Sequence, residues 1–88
     1  MLDRVQPSAP GRITGVVGEV LAKHGVDGPV AVDADLGRYG MTSIDMVELM
    51  LGVEAEFDVT IPPSEITLDN FRSVAAIAAM VSRLAQAA

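Results

Sequence analysis

A serine stands where a glycine-containing loop gives way to a helical pattern, in the stretch Gly40-Met41-Thr42-Ser43-Ile44. Serine is a weak nucleophile unless a base such as histidine, itself held by an acid, takes its proton. The only histidine is His24, at the end of the first apolar-periodic segment. There we expect a solvated side chain near the negative end of a helix dipole. The sequence therefore predicts that Ser43 is not a catalytic nucleophile.

Other kinds of reactive site are disfavoured by composition. The chain has no cysteine and one histidine, so a metal cluster lacks its usual ligands and any thiol chemistry must be imported. Twelve acidic against six basic residues give a net charge of -6, which disfavours binding to a phosphate backbone. No stretch has the apolar length of a membrane span, and the N-terminus does not resemble a signal peptide. We expect a soluble cytoplasmic protein.

Two roles remain open for Ser43. The first is helix capping, since Thr42 or Ser43 can be the N-cap and Asp45 favours the first turn. The second is covalent modification, because the unpaired N–H groups and the dipole of a helix start stabilise an attached phosphate.

The segments that must position this serine have helical character. Half of the residues are apolar but only two Phe and one Tyr are aromatic, which favours a small helical bundle. Apolar periodicity and capping residues predict helices at about Pro10–His24, at Ser43–Phe57 and from Ser73 onward, with a short turn capped by Thr67 and running to Phe71.

The remaining segments are predicted to be irregular. Residues 1–9 carry two prolines and no period, so we expect a flexible lead-in before one domain over residues 10–88. Gly25–Met41 has no sustained period and is predicted to be a long ordered loop. A brief strand at Val30–Asp33 is the alternative.

The second helix carries two apolar faces when its residues are spaced at about 100°. One face is predicted to join the core and comprises Met46, Leu49, Met50, Val53 and Phe57. The other comprises Ile44, Val47 and Leu51, which we call the second stripe, and it is flanked by Glu48 and Glu54. The second stripe either packs under the long loop or presents anchors to a partner, and the spacing alone leaves both open.

Taken together, these residues resemble the acyl and peptidyl carrier proteins, whose signature is Gly-x-Asp-Ser-Leu at the start of a second helix. Here that element is Gly40-Met41-Thr42-Ser43-Ile44. The similarity covers roughly Ile13 to Leu84. It continues through Asp45–Leu49, Glu54–Phe57, Ile61–Pro62 and Phe71–Val74.

The resemblance implies an all-α, four-helix bundle of the acyl carrier protein type, with a long loop between helices 1 and 2 and a short third helix. It implies that a phosphopantetheinyl transferase attaches 4'-phosphopantetheine from coenzyme A to Ser43, beside the flanking cap residue Thr42. The arm ends in a thiol that holds a biosynthetic intermediate as a thioester. The chain is then a non-catalytic carrier that presents its cargo to other enzymes.

The implied partners are that transferase, an acyl- or aminoacyl-loading enzyme and a downstream synthase or transferase. Ile44, Val47 and Leu51 are then the docking face, with Glu48 and Glu54 steering basic partners. We expect a monomer that binds neither nucleic acid nor membrane.

The sequence departs from the family pattern at two positions. Thr42 stands where carriers usually have Asp, and Ala55 stands where many have another acid. The segment Pro62–Phe71 resembles that of free-standing carriers in aminoacyl pathways and in specialised metabolism of the polyketide or nonribosomal peptide type. The alternative is an unmodified helical interaction module in which Ser43 is only a helix cap.

Overall fold

Three α-helices form the framework of the computed structural model, which describes residues 9–87. They are α1 (Ala9–Ala22), α2 (Ser43–Phe57) and α3 (Val74–Ala87), and short 3-10 helices span Leu36–Tyr39 and Pro63–Glu65. The prediction of an all-α fold is confirmed. Residues 9–87 contain no strand, so the alternative of a strand at residues 30–33 is wrong. None of their helices is long and apolar enough to cross a membrane.

The first helix is displaced towards the N-terminus relative to the prediction of Pro10–His24. It begins at Ala9, while the other residues of the predicted lead-in lie outside the described part of the chain. It ends early because Gly25 takes a left-handed φ of 77°. The N–H groups of Gly25 and Val26 then donate to the carbonyls of Ala22 and Leu21, at 3.1 and 3.3 Å, which is a Schellman ending.

The other helix ends follow from the capping residues. Thr42 caps the start of α2, and Asp58 ends it in a left-handed conformation with φ 54°. Ser73 caps α3 as predicted, since its Oγ accepts a hydrogen bond of 3.0 Å from the N–H of Ala76.

A single apolar core lies between the three helices. On α2, Leu49 and Val53 are fully buried, and Met46, Met50 and Phe57 pack against the core, so the predicted core face is confirmed. The α1 and α2 helices approach closely at Gly52, where an added Cβ would lie 2.7 Å from Cγ1 of Val16.

The long loop between α1 and α2 is anchored to the start of α3. Leu36 is buried, and its N–H donates to the carbonyl of Arg72 at 2.8 Å. The N–H of Ala75 donates to the carbonyl of Val32, also at 2.8 Å. These contacts hold the loop in place against the start of α3, and the loop then leads into the first turn of α2.

The short third helix predicted near Thr67–Phe71 has the form of a capped turn in this structure. The N–H of Phe71 donates to the carbonyl of Thr67 at 3.3 Å. The N–H of Asn70 donates to Oγ1 of Thr67 at 3.2 Å. This turn contributes Phe71 to the core and leads into α3.

Candidate functional site

Ser43 is the first residue of α2 and is exposed. The N-cap is the preceding residue, Thr42, whose φ of -96° and ψ of 175° are extended and whose side chain accepts from the N–H of Asp45. Thr42 is therefore the helix cap, and the interpretation of Ser43 as the cap is wrong. No hydrogen bond joins Oγ of Ser43 to any other residue between 9 and 87. The hydroxyl is free to react or to be modified.

Asp45 completes a reciprocal cap with Thr42. Its Oδ2 accepts the N–H of Thr42 at 2.8 Å and the Thr42 hydroxyl at 3.1 Å. In return, the N–H of Asp45 donates to Oγ1 of Thr42 at 3.2 Å. This arrangement satisfies two backbone donors at the start of α2. Asp45 was predicted only as a favourable first-turn acid, but it is buried, with 5% of its surface exposed.

The same carboxylate is bound by His24, which lies in the turn directly after α1. Nε2 of His24 lies 2.6 Å from Oδ2 of Asp45, and Nζ of Lys23 lies 3.5 Å from its Oδ1. The pKa of Asp45 is held well below its usual range, first by the N–H of Thr42 and then by His24, against the opposing effect of burial. Because an ionised carboxylate only accepts, Nε2 of His24 carries the hydrogen.

This contact corrects the expectation that His24 is simply solvated. Only 27% of its side chain is exposed, and it is paired with Asp45. It does not act as a base on Ser43, since its hydrogen bond goes to Asp45 rather than to the serine hydroxyl. In sequence, His24 and Asp45 are separated by a long loop, so no local pattern indicated that they meet.

The surroundings of Ser43 suit an attached phosphate. The N–H groups of Ser43 and Ile44 belong to the first turn of α2, where no intrahelical acceptor exists for them. They and the helix dipole favour negative charge at this point. A crevice of about 390 Å³ opens beside the serine. It is lined mainly by apolar side chains, among them Met41, Met46, Leu68 and Phe71, with Arg72 also contributing.

The second stripe of α2 is open to solvent. Ile44, Val47 and Leu51 are 71%, 51% and 53% exposed. The alternative that they pack under the long loop is therefore wrong. Leu68 is 78% exposed and lines the crevice next to Ser43. Sequence reasoning did not single out Leu68, because one leucine in a turn carries no periodic signal.

The two acids predicted to flank this stripe have different surroundings. Glu48 forms an ion pair with Lys23, and both side chains are about half exposed. Glu54 accepts the N–H of Ile61 through Oε2 at 2.7 Å. That contact fastens the segment after α2 to the helix. No local pattern indicates either contact, because Lys23 and Ile61 both lie outside α2.

A protein family described as "Phosphopantetheine attachment site" matches residues 11–81. Aminoacyl carrier protein 1 of Bradyrhizobium diazoefficiens is 51% identical over 70 residues, covering 80% of this chain and 78% of that protein. Aminoacyl carrier protein 2 of the same organism is 46% identical over 70 residues, covering 80% and 79%. The Aminoacyl carrier protein of Agrobacterium fabrum is 37% identical, covering 74% and 83%.

Chains from solved structures of carrier-protein complexes also match this fold. One chain from the crystal structure of Bradyrhizobium japonicum glycine:[carrier protein] ligase complexed with glycylated carrier protein superposes with a TM-score of 0.68 at 48% identity. The match covers 83% of this chain and 99% of that one. A chain from the complex with cognate carrier protein and an analogue of glycyl adenylate matches with a TM-score of 0.67 at 43% identity, covering 92% and 100%.

Proposed function

Because the chain belongs to the family of phosphopantetheine-attachment carrier proteins, we propose that Ser43 is the residue to which its arm is attached. The chain is a carrier rather than an enzyme, and its prosthetic group is phosphopantetheine. The observation that supports Ser43 is its free, exposed hydroxyl at the first position of α2. The adjacent residue, Thr42, is the N-cap of α2, so modification of Ser43 would not remove the cap.

The residues around Ser43 prepare it for a phosphodiester. Thr42 and Asp45 satisfy each other's backbone N–H groups, which holds the first turn of α2 in place. The N–H groups of Ser43 and Ile44, in the first turn of α2, have no intrahelical acceptor and can therefore bind the added phosphate. When bound, the arm supplies a terminal thiol that carries cargo as a thioester, a group that this cysteine-free chain lacks.

We propose that the cargo is an amino acid loaded by a separate ligase. Three relatives at 37% to 51% identity are named aminoacyl carrier proteins. Two structural matches come from complexes of a glycine ligase with its carrier protein. Glycine is therefore the first candidate cargo. A phosphopantetheinyl transferase and a downstream enzyme that removes the aminoacyl group are the other partners that this function requires.

The proposed docking face is the second stripe of α2. Ile44, Val47 and Leu51 project three apolar side chains beside Ser43, at the spacing with which a helix anchors in a groove. Glu48 stands next to them at the surface, and its charge is partly offset by Lys23. We assign long-range steering to Glu48 and the overall acidic charge of -6. Glu54, hydrogen-bonded to Ile61, remains a proposed but weaker contributor.

Three further features belong to this proposal. The carrier domain spans residues 10–88, and the residues before it are not required for modification. The turn at Thr67–Phe71, with its 3.3 Å α-type hydrogen bond, forms the short third helix of a four-helix bundle in solution. The chain acts as a monomer in the cytoplasm, in a biosynthetic pathway of the specialised or aminoacyl type.

Intact mass spectrometry tests the attachment. The purified chain is incubated with coenzyme A and a phosphopantetheinyl transferase of broad specificity, and we expect a gain of one phosphopantetheine. Ser43→Ala should gain nothing. Ser64→Ala is the matched control, since Ser64 is also exposed, and should be modified like the wild type. No gain by the wild type would favour the unmodified interaction module instead.

The cargo is tested on the modified protein. The holo chain is incubated with ATP, a carrier-protein ligase of the glycine type and an equimolar mixture of amino acids. We expect one aminoacyl mass increment that hydroxylamine removes, as a thioester requires. Loading by fatty acids through an acyl ligase, without aminoacylation, would refute the amino acid cargo while leaving Ser43 attachment intact.

A further inference from the structure

One buried carboxylate connects the end of α1 to the start of α2. Oδ2 of Asp45 receives three donors, namely the N–H and hydroxyl of Thr42 and Nε2 of His24, at 2.8, 3.1 and 2.6 Å. Thr42 directly precedes Ser43. The position of the proposed attachment residue is therefore fixed in part by a side chain from a different element.

His24 is the donor to Oδ2 of Asp45 that comes from neither α2 nor its cap residue. Its Nε2 contact is the shortest of the three to Oδ2, and 73% of its side chain lies out of solvent, since 27% is exposed. Lys23 does not duplicate it. Nζ of Lys23 approaches the other oxygen, Oδ1, at 3.5 Å, and its close ion pair is with Glu48.

We propose that His24 is a positioning residue for the modification of Ser43. Through Asp45 it fixes the cap residue Thr42, and the cap fixes the first turn of α2, where the transferase must align the serine hydroxyl with coenzyme A. This inference rests on the proposed function and adds to it a residue that lies 19 positions before the serine.

Removing His24 would take away one of the donors on which the buried Asp45 carboxylate depends. If His24 is removed, Asp45 remains buried and ionised but loses one of the hydrogen bonds that compensate it. The carboxylate is then drawn towards water or towards Lys23. Either shift releases the N–H and hydroxyl of Thr42, so the disturbance is concentrated in the residues that flank Ser43.

The experiment compares His24→Ala with His24→Gln in steady-state modification by a phosphopantetheinyl transferase. Glutamine carries an Nε2 donor at a similar reach, so it can restore the contact with Asp45. Because misplacing a reacting group slightly is costly, we expect kcat/KM to fall about tenfold for His24→Ala. His24→Gln should recover most of that loss. The amide N–H groups of Thr42 and Asp45 should exchange faster in His24→Ala and return towards wild-type rates in His24→Gln.

A stability-matched control separates positioning from general destabilisation. Val81→Ala truncates a buried side chain on α3, far in sequence from the cap, and should lower the melting temperature without slowing modification. All variants are measured at a temperature where they are fully folded. Equal slowing in Val81→Ala, no rescue by His24→Gln, or a wild-type rate in His24→Ala would overturn the inference.

These measurements separate the role of His24 from the attachment at Ser43. If the wild-type chain is modified at Ser43 and His24→Ala keeps its rate, only the role of His24 is lost. If the wild-type chain gains no arm, the attachment proposal and this inference fall together.

Discussion

Replacing Thr42 by aspartate, the residue that carriers usually have there, should destabilise this chain. Aspartate is as good an N-cap as threonine or better. Here, however, the Thr42 hydroxyl donates to Oδ2 of Asp45 at 3.1 Å. A carboxylate at position 42 cannot donate, and it would bring a second negative charge to within about hydrogen-bond distance of the first. The substitution removes an attraction and adds a repulsion at one point.

Thr42→Ala provides the reference for the destabilisation expected of Thr42→Asp. Loss of the cap alone costs about 1 kcal/mol, which lowers the melting temperature of a domain of this size by about 4–8 °C. We expect Thr42→Asp to lose at least as much at pH 7, although it keeps a capping oxygen. Thr42→Ser, which keeps the hydroxyl, should stay close to the wild type.

Thermal unfolding, followed by circular dichroism at several pH values, measures the melting temperatures of these variants and of the wild type. The deficit of Thr42→Asp should shrink as the pH falls, because protonation of either carboxylate relieves the repulsion and restores a donor. If Thr42→Asp is as stable as the wild type at pH 7, or if its deficit does not change in acid, the assigned role of the Thr42–Asp45 contact is wrong.

Further predictions concern helix packing, the Asp45 carboxylate and the docking face. Gly52→Ala should lower the free energy of unfolding, measured in urea, by roughly 1 kcal/mol. The added Cβ would meet an α1 side chain at 2.7 Å, and this overpacking should cost more than the helix propensity gained. Gly18→Ala, with nothing within 4 Å, should instead be stabilising. Because the folded-state pKa of Asp45 is lowered, the advantage of the wild type over Asp45→Asn should be complete well above the usual carboxyl pKa of about 4. It should be lost progressively as the pH falls through that value towards the lowered folded-state pKa. Glu48→Lys should slow loading by the ligase strongly at low salt and weakly at high salt. Equal loading rates for this variant and the wild type at low salt would contradict the steering role of Glu48. Ile44→Ala should raise the KM of the ligase for the carrier about tenfold at both salt concentrations.

Much of the fold followed from local patterns. The start and end of α2, the cap at Ser73 and the stop at Gly25 were predictable, because each depends on residues adjacent in sequence. The core face of α2 was predictable from periodicity for the same reason. The end of α1 differed from the prediction by two residues, since its last turn was already part of the Schellman ending.

The site was predictable only in its local part. The serine at a helix start is visible in a five-residue stretch. The contacts of His24 with Asp45 and of Lys23 with Glu48 span more than twenty residues, and their formation depends on how α1 packs on α2. A single sequence contains no period or spacing that encodes such a pairing, so the histidine was assigned to solvent.

The attachment of the arm to Ser43 is tested most directly by locating the added mass. Trypsin should release residues 39–72 as one peptide, because no Lys or Arg lies between Arg38 and Arg72. This peptide contains two serines, Ser43 and Ser64. After modification with coenzyme A and a phosphopantetheinyl transferase, fragmentation should assign phosphopantetheine to Ser43. A peptide that stays unmodified, or one that carries the group on Ser64, would contradict the account.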